Sequence, residues 1–137
     1  MGPAAVRSRR VQAQPGAVVA RVLALLPDLL FGSKVQAMLT GAGHEVEVIS
    51  SEPDAWDQVA GSDVLIVDLC SDEIDGIGLL DTLASGGELH GTRTLAFYRH
   101  TEVEVRKSAI DAGFDLVVPR SRMAREGVAL VDGLLAR

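Results

Sequence analysis

Short apolar runs alternate with helical periodicities along most of this chain. Residues 20–26 are apolar except for Arg21 and form the body of a first strand predicted over residues 18–26. Pro27-Asp28 breaks that run. Phe31, Val35, Met38, Leu39 and Ala42 then recur at helical spacing, with Gly41 and Gly43 at the helix end. In residues 44–50, Val46 and Val48 alternate with Glu45 and Glu47, the pattern of a strand with one wet face. A short helix is predicted over residues 53–60, with Glu52-Pro53 at its start. Residues 63–69 hold the run Val64-Leu65-Ile66-Val67-Asp68, a central strand apolar on both faces. A helix over residues 77–83 stops at Gly86-Gly87, and a strand follows over 94–98. A helix over 102–112 is closed by Gly113, and a strand over 115–119 comes next. The last helix, 122–137, has Leu130, Val131, Leu134 and Leu135 on its apolar face.

Five strands separated by five helices predict a parallel sheet covered on both sides. The second strand is the most polar and belongs at an edge. The fold class is therefore α/β, a flavodoxin-like (βα)5 three-layer sandwich with strand order 2-1-3-4-5. Ligands of such sheets bind beyond the carboxyl ends of the strands, at the switch point between strands 1 and 3. Asp68 ends strand 3 and is placed to project there. The competing role for an aspartate at a strand end is to cap the next loop through a hydrogen bond.

Composition narrows this picture. A chain of 137 residues is one domain's worth, and 47% hydrophobic residues exclude global disorder. Aromatics are only 4%, so Val, Leu, Ile and Ala must build the core. Arg7, Arg9, Arg10 and Arg21 lie in the first 21 residues, which contain no Asp or Glu. The remaining residues hold 9 basic against 19 acidic side chains. Residues 1–17 lack periodicity and are predicted to be a flexible basic tail, with the domain over 18–137. An acidic domain repels phosphates, so no nucleic acid is expected on the core; a Mg²⁺ ion or a basic protein suits it better. The single Cys70 excludes an intramolecular disulfide, fits a reducing cytosol and is expected as a small buried residue. No run reaches the roughly 18 apolar residues of a membrane span. Arg21 interrupts the faintly signal-like start, so the expected location is cytoplasmic.

The layout of Asp68, of Asp75-Gly76 seven residues later, and of the runs ending at Tyr98 and at Pro119-Arg120 resembles the receiver domain of two-component response regulators. The resemblance covers about residues 19–137. It implies that Asp68 stands at the phosphoryl-acceptor position. Such chemistry needs a metal to neutralise charge, a hydroxyl to sense the phosphate and a cation to pair with it. A typical receiver supplies an acidic pair after strand 1, a Ser or Thr ending strand 4 and a Lys ending strand 5. Here Leu26 and Pro27 fall where the acidic pair should be, with Asp28 one residue on, either as a metal ligand or as a helix N-cap. Tyr98 takes the hydroxyl position with a ring expected to fill the pocket. Arg120 takes the lysine position, where it either locks Asp68 in an ion pair or binds phosphate.

The resemblance thus implies an atypical, stand-alone receiver, or pseudo-receiver, that is not an enzyme. It would act in bacterial-type signalling without the usual Mg²⁺-dependent phosphorylation, needs no cofactor, and holds Mg²⁺ weakly if at all. Its partner would be a protein (a kinase, a regulator or a second copy in a homodimer) on the face formed by helix 4, strand 5 and helix 5. One alternative is a working phospho-acceptor. In that case Asp68 is the nucleophile, Asp28 and the Cys70 backbone carbonyl join Asp68 on Mg²⁺, Arg120 holds the phosphate and Asp75 belongs to the site. Another is a small flavodoxin-like enzyme or cofactor binder, which lacks a visible nucleophile-base pair. Gly41-Ala42-Gly43 follows a helix and lacks the spacing of a dinucleotide loop. His100 is expected as a surface loop residue, Trp56 as packing, and Arg120, Arg122 and Arg125 as a solvated face or an anion site.

Overall fold

The computed structural model describes residues 19–137. The predicted basic tail, and Val18 of the predicted first strand, lie outside the described residues. The chain alternates strictly: β1 (Arg21–Leu25), α1 (Leu29–Gly41), β2 (Glu45–Ile49), α2 (Glu52–Gln58), β3 (Val64–Asp68), α3 (Gly76–Ser85), β4 (Arg93–Tyr98), α4 (Val103–Ala112), β5 (Leu116–Pro119) and α5 (Arg120–Leu135). A 3₁₀ turn, Val59–Gly61, extends α2 where one helix over 53–60 was predicted.

The five strands are parallel in the order β2-β1-β3-β4-β5. Burial follows that order. All five residues of central β3 are buried, whereas in β2 the two glutamates are exposed beside half-buried valines. This is the difference expected between a strand covered on both faces and one at an edge. Alternate side chains feed two cores. Val22, Ala24, Ile66, Leu95 and Phe97 meet Phe31, Val35 and Leu39 of α1 and Met123, Leu130, Val131 and Leu134 of α5. Leu23, Leu25, Leu65, Val67 and Ala96 meet Ala55 of α2, Leu79, Leu80 and Leu83 of α3 and Ala109 of α4. The predicted three layers are present. Among the described residues, no helix is long and apolar enough to cross a membrane.

Local chemistry fixes the element ends that matter for the site. Asp28 N-caps α1 and Asp75 N-caps α3, so α3 starts at Gly76 rather than at residue 77. A Cβ on Gly76 would come within 2.5 Å of Val67 Cγ1 and 2.6 Å of Leu69 Cδ2, so only glycine lets α3 approach β3 this closely. Gly113 closes α4 in the left-handed region at φ 108°. Helix α5 begins directly after Pro119, two residues earlier than predicted, and is interrupted at Glu126.

His44, the first residue of the half-buried strand predicted over 44–50, is buried and lies just before β2. Its Nδ1 accepts from the Ala20 amide at 3.2 Å, and its Nε2 lies 3.0 Å from Asp132 Oδ1, which ties the start of β1 to α5.

Candidate functional site at the carboxyl ends of the strands

Asp68 is 2% exposed at the end of β3. Its Oδ1 accepts the Cys70 amide at 2.7 Å, which turns the chain sharply off the strand. Burial pushes its pKa above the ordinary carboxylate value, while the Cys70 amide and the Arg120 charge pull it back. Cys70 is buried, as expected, and its thiol is pushed up to about 11, first by burial and then by the neighbouring Asp68 charge. The loop-capping role for Asp68 is therefore real in this structure, and the Cys70 thiol adds a second hydrogen bond to the same carboxylate.

Asp28 forms the facing wall. Oδ1 accepts the amides of Leu30 at 3.0 Å and Phe31 at 3.1 Å, and Oδ2 accepts from Arg120 Nη2 at 3.2 Å. The Phe31 amide is the main cause of its lowered pKa, and burial partly opposes it; Arg120 lowers it further. Arg120, the first residue of α5, lies across the α1 start with its guanidinium carbon 4.3 Å above the Phe31 ring centroid. The expected ion pair between Arg120 and Asp68 is thus corrected: Arg120 pairs with Asp28. The reason is placement. Asp68 is turned toward its own loop, while the half-exposed Asp28 carboxylate stands where the arginine fork, stacked on Phe31, can reach it.

A cleft of about 310 Å³ is lined by Asp28, Asp68, Cys70, Ser71, Asp72, Glu73, Arg99 and Arg120. The structure thus brings together four of the predicted site residues. It does not place the other two there. Tyr98 is buried, but its ring does not fill the cleft. Phe97 is the β4 residue in register with Asp68, so alternation turns Tyr98 to the opposite face, the one that Ala96 shares. Asp75 accepts the Gly78 amide at 3.0 Å, while its own amide donates to Glu52 Oε2 at 2.8 Å. Asp75 is an exposed helix cap outside the cleft.

Sequence reading missed Asp72 and Glu73, and placed Arg99 at the rim after strand 4 without giving it a role. The signal lay in position: the first two follow Asp68 within the same loop, and Arg99 directly follows strand 4. Hard-oxygen donors therefore exist for a cation, with Asp68, Asp28 and the Cys70 carbonyl as the expected set. Two observations count against that set as it stands. Asp28 already holds two amides and a guanidinium, and among the described residues no three His, Cys, Asp or Glu side chains are grouped to hold a metal ion. His100 is exposed on the loop after β4, as expected.

No protein-family model and no curated protein matches this sequence. Solved structures do match. The chemotaxis response regulator CheY4 of Vibrio cholerae is 21% identical, with a TM-score of 0.74 over 86% of this chain and 100% of that one. The signal receiver domain of NarL from Mycobacterium tuberculosis is 22% identical, with a TM-score of 0.72 over 87% and 98%. The receiver domain of Francisella response regulator 1452 is 19% identical, with a TM-score of 0.75 over 86% and 98%. Residues 19–137 have the fold of a CheY-like response regulator receiver domain.

Proposed function

We propose that this protein is an atypical receiver, a pseudo-receiver of bacterial-type cytoplasmic signalling, that works by protein contact rather than by Mg²⁺-dependent phosphorylation or enzymatic turnover. The observation that carries this reading is the state of Asp28. It is the carboxylate that directly follows β1 in the chain, and its oxygens are already bound to two α1 amides and to Arg120. Recruiting it to a metal would uncap α1 and release Arg120. Leu26 and Pro27, immediately before it, offer no side-chain oxygen. Without a metal, transfer of a phosphoryl group to Asp68 lacks its main charge neutralisation.

The partner face in this reading is α4, β5 and α5. Val103 and Ile110 are among the most exposed large apolar residues and lie seven apart, on one side of α4. A kinase, a regulator or a second copy of the chain would cover them.

The test is an amide NMR titration with Mg²⁺, then with beryllium and fluoride, which together mimic an aspartyl phosphate. The expected result is an unchanged spectrum at millimolar Mg²⁺. Saturable shifts around Asp68, Asp72 and Arg120 that vanish in Asp68→Asn would establish the phospho-acceptor alternative instead.

A further inference from the structure

A second cavity, of about 390 Å³, adjoins the Asp68 cleft and shares Arg99 and Arg120 with it. Its lining also includes Phe31, His100, Ser121 and Ala124, and no carboxylate lines it. We propose that this chamber binds a small organic anion with a flat apolar body. The carboxylate or phosphate would sit between Arg99 and Arg120, and the body against Phe31 and Ala124.

Three observations converge. The size lies in the range of small-ligand pockets, and the lining joins apolar surface to a few convergent polar groups, as such pockets do. The charge is inverted locally: residues 22–137 carry 19 acidic against 9 basic side chains, yet this hollow presents two guanidinium groups. The two arginines are also poised. Arg120 is held over the Phe31 ring and by Asp28, and Phe31 packs on buried Phe97 with ring centroids 5.1 Å apart, so the floor is firm. Arg99 is half-exposed, and its ion pair with Glu102 is long, at 3.8 Å. Planar forks of this kind take paired oxygens of carboxylate or phosphate. An anion on Arg120 competes with Asp28 for the same guanidinium, which couples the chamber to the cleft around Asp68. The proposal stands whether or not Asp68 accepts a phosphoryl group.

The test is an amide NMR titration of the full chain with benzoate and with phenyl phosphate, against acetate, inorganic phosphate and benzyl alcohol. Saturable shifts at His100, Thr101, Ser121 and Ala124 are expected with the two aromatic anions, which also shows whether carboxylate or phosphate is preferred. The three partial probes should bind roughly tenfold or more weakly, each lacking either the charge or the ring. Arg99→Gln, an exposed change that leaves the core untouched, should weaken the aromatic anions by about tenfold. Ala124→Leu should do the same by filling the hollow. The absence of saturable shifts overturns the proposal. So does inorganic phosphate binding as tightly as phenyl phosphate, which would mean a bare anion site, or binding indifferent to Arg99→Gln. Asp68→Asn should leave the affinity nearly unchanged; a marked tightening there would place the anion beside Asp68 in the cleft and reject the chamber.

Discussion

Asp68→Asn should make this protein more stable at neutral pH, and by an amount that depends on pH in a defined direction. The carboxylate is 2% exposed, and burial raises its pKa above the ordinary value. The folded state therefore holds the proton more tightly than the unfolded chain does. Stability on this account is highest below the unfolded value, near 3.8, and falls as the pH rises through the higher folded value. Asparagine has nearly the same shape, keeps an Oδ1 for the Cys70 amide and carries no charge to bury. Relieving a buried charge of this kind should contribute about 1 kcal/mol, within the range of stabilising substitutions. For a domain of this size that is a rise in Tm of about 3–6 °C at pH 7. Calorimetry on both proteins between pH 7 and pH 4 measures it, and the gap should narrow steadily toward acid. Effects common to the two proteins cancel in the difference. A variant that is less stable at pH 7, or a gap independent of pH, would refute the reasoning. Either result would mean that the ionised Asp68 is stabilised by groups around the cleft rather than strained by burial.

Other consequences can be checked with the same material. Asp28→Ala should lower the urea midpoint, because it removes the α1 cap and the Arg120 contact together. Its folded pKa is lowered, so the loss should be full above the unfolded carboxylate value and fade as the pH falls through the lower folded one. Gly76→Ala should cost about 1–3 kcal/mol in urea denaturation, because the new methyl meets Val67 and Leu69 in the core. Gly127→Ala meets chiefly the flexible tip of Met38 and should cost less than Gly76→Ala. Cys70, buried and with a thiol pKa of about 11, should react slowly with iodoacetamide at pH 7.5 and rapidly once the chain is unfolded in urea; equal rates would show that the loop after β3 opens readily.

The fold was legible because two periodicities alternate without conflict and because strand polarity encodes position in the sheet. Glu45 and Glu47 marked the edge, and the apolar Val64–Val67 run marked the centre. Helix starts were less legible. Asp28 was readable as a cap, and α1 does begin directly after it; Asp75 was not, so α3 begins earlier than its apolar spacing alone indicates. Within the site, Asp68 could be read from its place at a strand end. The orientation of Tyr98 could not be read from its spacing in the chain. It depends on which β4 residue stands in register with Asp68, and that residue is Phe97. Asp72 and Glu73 went unread for the opposite reason: loop residues carry no periodicity, and only the folded loop turns them toward the cleft.

The partner of Arg120 shows how one local shift can alter a whole site. Pro27 stops β1 and cannot donate an amide, so the next residue, Asp28, takes the cap of α1. That fixes its carboxylate at the helix start, beside Phe31. Arg120 begins α5 with no intervening loop after Pro119, so its side chain emerges close to α1 and stacks on Phe31 within reach of Asp28. Asp68 is left with the amide and thiol of Cys70 as its donors, and Arg120 acts on its charge from a distance. A carboxylate in that position is destabilised when ionised, and any cation entering the cleft would relieve it. The same placement leaves Arg99 and the outer side of Arg120 facing the adjoining hollow. In this molecule, then, the positive charge at the carboxyl end of the sheet faces the adjoining hollow, and the negative charge of Asp68 faces a cleft in which Asp28 is already held by two α1 amides and Arg120.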